Sequence, residues 1–78
     1  MTWEVKNELL TNNFQFQDFT QAVEFVNQIK DLANAANHHP DVLIHSYNQV
    51  KIMLMTHDQN TITDKDHNLA NQIDKLLA

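Results

Sequence analysis

Apolar residues recur along this chain in two rhythms, and the switches between them divide it into six elements. Trp3-Glu-Val5 alternates apolar with polar, Thr11-Asn12-Asn13 is turn-prone, and Phe14-Gln-Phe16 alternates again. This predicts a β-hairpin with Trp3, Val5, Phe14 and Phe16 on its buried face. From Asp18 the spacing changes to three and four: Ala22, Phe25, Val26, Ile29, Leu32, Ala33 and Ala36 form one stripe. Asp18-x-x-Gln21 supplies a helix start, and the helix must stop before Pro40, because a residue preceding proline is pushed out of the helical region. His38 and His39 therefore fall at or just beyond its C-terminus.

Val42–Tyr47 is rich in strand formers, Asn48-Gln49 suits a turn, and Val50–His57 returns to period two. In this second hairpin Val50, Ile52 and Leu54 share one face, while Lys51, Met53, Met55 and His57 share the other. Two methionines on an otherwise polar face suggest that it meets a second subunit or lines a site. Asp58–Thr61 is a loop, and Thr63-Asp-Lys-Asp66 resembles a capping box opening a last helix. Its stripe is Leu69, Ala70, Ile73, Leu76 and Leu77. The order ββαββα predicts an α+β two-layer sandwich, a four-stranded antiparallel sheet with both helices on one face, in one domain over residues 1–78. The chain has no glycine, so asparagine is expected wherever the backbone turns left-handed.

Size and charge narrow the partners. A 78-residue chain without cysteine has a small core and no disulfide or thiolate metal site to support it, which favours oligomerisation. Ten acidic against five basic side chains give a net charge of −5, which repels nucleic-acid phosphates. No run approaches the roughly 20 apolar residues of a membrane span, and the first residues do not read as a secretory signal. These features predict a cytoplasmic protein with no direct nucleic-acid partner and no membrane partner.

The candidate chemistry is histidine-based. His38 and His39 leave the first helix and His57 leaves the last strand, so a sandwich could bring these ends to one rim. Imidazole donates or accepts protons at neutral pH, as general acid–base catalysis requires. A solvated or capping role competes for any one of them, and His45 and His67 are left with that reading. Zinc or non-haem iron also competes, but adjacent histidines point apart, and no His-x-x-x-His or Glu-x-x-His pair is present. Nucleophilic catalysis lacks its residues: there is no cysteine, no Gly-x-Ser-x-Gly and no glycine-rich phosphate loop.

Asn37-His-His-Pro40, Tyr47-Asn48, Val50, Thr56-His57, and Asp66 followed by Asn68-Leu69-Ala70 together resemble the pterin-4a-carbinolamine dehydratase family. Trp3 and Phe14-x-Phe16-x-Asp18-Phe19 extend the likeness over essentially the whole chain. The resemblance implies dehydration of a 4a-hydroxytetrahydropterin to the quinonoid dihydropterin. It implies no metal or organic cofactor, the pterin being the substrate. It also implies a homodimer joined through sheet edges, or a homotetramer; the additional N-terminal helix of longer members is absent here, which favours the dimer. Carried over by position, His38, His39 and His57 are the active-site histidines and Asp66 supports them. His39 and Tyr47 would contact the substrate. The alternative the family offers is a non-catalytic pterin-binding or regulatory protein, one branch resembling a dimerisation cofactor of a homeodomain transcription factor. The sequence departs from the pattern at Asn34, where members commonly have an acidic residue, so reduced activity is expected. The interval from Pro40 to Tyr47 is one residue longer, so a bulge is expected in the third strand.

Overall fold

The computed structural model describes residues 3–77. Strands β1 (Glu4–Lys6) and β2 (Leu9–Gln15) precede helix α1 (Phe19–Ala36), and strands β3 (Asp41–His45) and β4 (Gln49–Leu54) precede helix α2 (Asp64–Lys75). The four strands form one antiparallel sheet in the order β1-β2-β4-β3. Leu10 and Phe14 from β2, Val50, Ile52 and Leu54 from β4, Ala22, Phe25 and Ile29 from α1, and Leu69, Ala70 and Ile73 from α2 close into one buried cluster. Alternation in β4 and the three-four stripes of both helices thus meet as the α+β sandwich the sequence predicts.

The turns lie elsewhere than the sequence suggests. The first hairpin turns at Asn7-Glu8, with φ of 52° and 64°, directly between the paired Lys6 and Leu9. Thr11, Asn12 and Asn13 instead run inside β2, opposite Met53, Ile52 and Lys51. A two-residue turn with both φ positive matches the twist of the flanking strands, and this outweighs the turn preference of the asparagines. Left-handed backbone opposes any side chain with a Cβ, so Glu8→Gly should stabilise the protein by about 1 kcal/mol. A urea-denaturation midpoint that does not rise would contradict this.

The second hairpin turns at Ser46-Tyr47, with φ of 50° and 54°, and not at Asn48-Gln49. Asn48 is buried and is used as a staple: its amide donates to the Phe16 carbonyl, and its own carbonyl accepts from the Phe16 N–H. The expected bulge in β3 is absent, since pairing runs unbroken from Asp41↔Met53 to His45↔Gln49; the irregularity sits in the turn. Strand β4 stops at Leu54, short of the expected His57, and Thr56 pairs with Thr61 across a tight turn of its own. Val5 is 64% exposed because β1 is an edge strand. Ala36 is exposed as well, at the last turn of α1. Trp3 is half-buried: its ring packs edge-on to Phe14 and its Nε1 donates to both carboxylate oxygens of Asp74 at 3.0 and 3.2 Å. Asparagine takes three of the left-handed positions (Asn7, Asn37, Asn60); Glu8, Ser46 and Tyr47 take the others.

Candidate active site

The end of α1 sets the geometry of the rim. Asn37 adopts φ 50°, ψ 42°, and the His38 N–H donates back to the Ala33 carbonyl at 3.1 Å. This is the left-handed helix ending usually taken by glycine. It ends the helix, and Pro40 keeps the backbone of His39 out of the helical region on the way into β3.

The two adjacent imidazoles consequently face different partners. His38 Nε2 lies 2.5 Å from Asp66 Oδ1 on α2, and His39 Nε2 lies 3.0 Å from Asn34 Oδ1 on α1. Asp66 is fully buried. Its other oxygen accepts from the Thr56 hydroxyl and from the Thr63 main-chain N–H, each at 2.9 Å. Thr56 and Thr63 also hydrogen-bond to each other at 2.6 Å. Since the single Thr56 hydrogen goes to Asp66, Thr63 is the donor in that pair. The sequence pattern of a capping box is present at Thr63 and Asp66, and here the capping carboxylate also reaches out of its helix to an imidazole.

Burial pushes the Asp66 carboxyl up, but hydrogen bonds from His38, the Thr63 main chain and the Thr56 hydroxyl, with the charge of His38, outweigh it. The carboxyl is held below its ordinary value of 3.8. Asp66 is therefore ionised at neutral pH. An ionised carboxylate only accepts hydrogen bonds, so His38 Nε2 carries the hydrogen. Nδ1 is left with the lone pair. Among the described residues no buried side-chain nitrogen or oxygen lacks a partner, and Nδ1 has none, so it reaches solvent. A lowered folded-state value means the unfolded chain binds the Asp66 proton first. The stabilisation from Asp66 is thus complete at neutral pH, begins to fade as pH falls towards 3.8, and is gone below the still lower folded-state value. Urea midpoints between pH 6 and 2 should fall across that window more steeply in the wild type than in an Asp66→Asn variant.

His57 follows Thr56 directly and occupies the exposed turn that Thr56 and Thr61 close; its carbonyl accepts from the Asn60 N–H. Its imidazole has no hydrogen bond among the described residues. The helix exit and the strand exit thus meet on Asp66, which touches His38 on one side and the neighbour of His57 on the other. Tyr47 is placed apart from them. It is 66% exposed in the β3–β4 turn, while the rim lies at the opposite end of β3, four strand steps or roughly 13 Å away.

Beside His39, between α1 and the start of β3, opens a cleft of about 200 Å³ with apolar walls from Val26, Ile29, Ala33 and Val42. Asn34 and His39 lie on its edge, with Lys30 next to them. Among the described residues no three His, Cys, Asp or Glu side chains gather closely enough to hold a metal ion. Nor is any helix among them long and apolar enough to cross a membrane. The arrangement is suited to moving protons beside a small, partly apolar ligand. Two contributors escaped the sequence reading. Thr56 entered it only as the neighbour of His57, and Asn34 only as a missing charge. The Thr63-x-x-Asp66 spacing was the one signal pointing to the hydroxyl network.

Known proteins share both the sequence and the shape. The profile of the family described as Pterin 4 alpha carbinolamine dehydratase matches residues 1–76. A protein of Sulfurisphaera tokodaii with a provisional pterin-4-alpha-carbinolamine dehydratase name is 47% identical over 76 residues, 97% of this chain and 81% of that one. A Picosynechococcus protein with the same provisional name is 42% identical over 74 residues, 95% and 79% of the two chains. The crystal structure of a transcriptional coactivator/pterin dehydratase from Brucella melitensis superposes with a TM-score of 0.90 at 31% identity, over 97% of this chain and 82% of that one. A pterin dehydratase-like RuBisCO assembly factor of the alpha-carboxysome shares the fold, with a TM-score of 0.81 at 19% identity over 97% and 89% of the two chains.

Proposed function

This chain belongs to the pterin-4-alpha-carbinolamine dehydratase family, and we propose that it is a cytoplasmic hydro-lyase converting a 4a-hydroxytetrahydropterin to the quinonoid dihydropterin, in tetrahydropterin recycling. The observation that carries this reading is the His38–Asp66 pair. A buried, ionised carboxylate fixes one ring nitrogen and leaves the other open to solvent at the rim.

The reaction breaks the C4a–O bond and forms the N5=C4a double bond. An acid protonates the departing hydroxyl, which leaves as water, and a base takes the N5 proton. His38 and His57 are the acid–base pair, in either order. Asp66 holds the His38 ring in one tautomer, as second partners of catalytic imidazoles do. His39 binds and orients the pterin, whose bicyclic ring is of a size for the cleft at its side. The chemistry asks for no metal or organic cofactor. The working unit is a homodimer. A role for Tyr47 in substrate binding then requires a second copy of the chain, because within one protomer it stands at the far end of β3.

The test is to generate the 4a-hydroxytetrahydropterin chemically and follow its ultraviolet decay with and without the protein. Acceleration above the spontaneous rate supports the lyase; none leaves the second reading, a non-catalytic pterin-binding or regulatory protein. That alternative draws on the related structures named for coactivator and assembly roles. Pterin binding without acceleration would establish it.

A further inference from the structure

We infer that Asn34 is a positioning residue for this reaction: it fixes the tautomer of His39, so that His39 meets the pterin as a hydrogen-bond acceptor. The inference rests on the lyase reading for its kinetic consequence and on geometry alone for its structural part.

An amide oxygen can only accept. With Asn34 Oδ1 at 3.0 Å, His39 Nε2 must carry the hydrogen, and Nδ1 must carry the lone pair. The neighbouring ring obeys the same logic with a different partner, a carboxylate for His38 and a neutral amide for His39. Each ring is thereby held with its hydrogen on Nε2 and its lone pair on Nδ1.

The backbone keeps this arrangement in place. Asn34 lies in the last turn of α1, whose end is closed by the left-handed Asn37, and Pro40 disfavours helical backbone at His39. Both side chains border the cleft. A ligand seated against its apolar walls, with an N–H turned to the edge, would find the His39 lone pair there. The ligand class selected is therefore a flat heterocycle with a ring N–H or exocyclic amino donor, and an analogue lacking that donor would leave Nδ1 unpaired.

The variants are Asn34→Ala and Asn34→Asp, the second of which retains an acceptor oxygen. Asn34 is an exposed helix residue, so alanine should leave the fold intact or slightly firmer. Ring ¹⁵N signals of His39 should report one tautomer in the wild type, a mixture in Asn34→Ala, and a single Nε2–H form again in Asn34→Asp. In the decay assay Asn34→Ala should raise KM about three- to tenfold, the size of one net hydrogen bond, with kcat changed less. Asn34→Asp should recover most of the loss. Unchanged His39 signals in Asn34→Ala overturn the inference whatever the activity, and changed signals with unchanged KM overturn the positioning role. If the wild type itself gives no acceleration, the lyase reading falls. The ¹⁵N comparison and the pterin dissociation constant of the two variants then decide the inference, an Asn34→Ala constant equal to wild type counting against it.

Discussion

Replacing His38 with alanine lowers turnover of the 4a-hydroxytetrahydropterin by about 10²–10⁴, the usual contribution of a positioned general acid or base. The magnitude follows from the proposed division of labour, in which His38 Nδ1 exchanges the proton while Asp66 holds Nε2–H at 2.5 Å. Alanine also strips a donor from a buried carboxylate, so part of any loss could come from the fold. His38→Gln separates the two effects, since its amide restores an N–H donor for Asp66 without a titrating ring. It should fold with near-wild-type stability and remain slow. His57→Ala is the companion variant. Its side chain is exposed and unbonded, so its removal should change stability by no more than about 0.5 kcal/mol. A drop of similar size in turnover is expected. Near-normal rates in both the His38 and His57 variants would remove the acid–base assignment.

Asp66→Asn has the largest expected cost in stability, about 2–4 kcal/mol. Three donors converge on this side chain: the His38 Nε2–H, the Thr56 hydroxyl and the Thr63 main-chain N–H. A carboxylate accepts from all three. The amide can keep both threonine bonds only by turning its NH₂ to His38, which forces that ring into the Nδ1–H tautomer and replaces charge-assisted hydrogen bonds by neutral ones in a site with no solvent access. The helix start is weakened too, because the side chain closes the capping box with Thr63. Urea denaturation should show the midpoint falling with the slope unchanged. Turnover of the folded fraction should fall at least about tenfold, as the His38 tautomer is no longer held. A destabilisation below about 1 kcal/mol would show that the network around Asp66 carries little of the fold.

A stable, inactive His57 variant beside an unstable Asp66 variant would mean that one rim serves both folding and chemistry. An Asp66 variant that is unstable but fully active once folded would confine the carboxylate to helix capping. The second outcome would leave His38 oriented by its backbone alone.

Much of this was legible along the chain. Three-four spacing located both helices, and period two located β4, because those repeats report which face of an element is buried. The capping residues Asp18 and Thr63 were visible because a helix start is a local event, completed within three residues. Turn positions were less accessible. Asn12, Asn13 and Asn48 have strong turn preferences, but a strand partner or a buried hydrogen bond claimed each of them. The turns fell to Asn7-Glu8 and Ser46-Tyr47 because register and strand twist, set across the sheet, fix where a hairpin must close.

The sequence by itself determined the order of the elements, the two-layer architecture, and the supply of imidazoles at one helix exit and after one strand. Which partner each imidazole takes was decided only in three dimensions. His38 and His39 are adjacent, yet one turns to a carboxylate 28 residues further on and the other to an amide five residues back. No local pattern distinguishes them, since their difference arises when Asn37 bends the chain and the sheet carries the start of α2 to the end of α1. Local periodicity encodes which side of an element is buried; the tautomer of a side chain depends on the one atom packed against it.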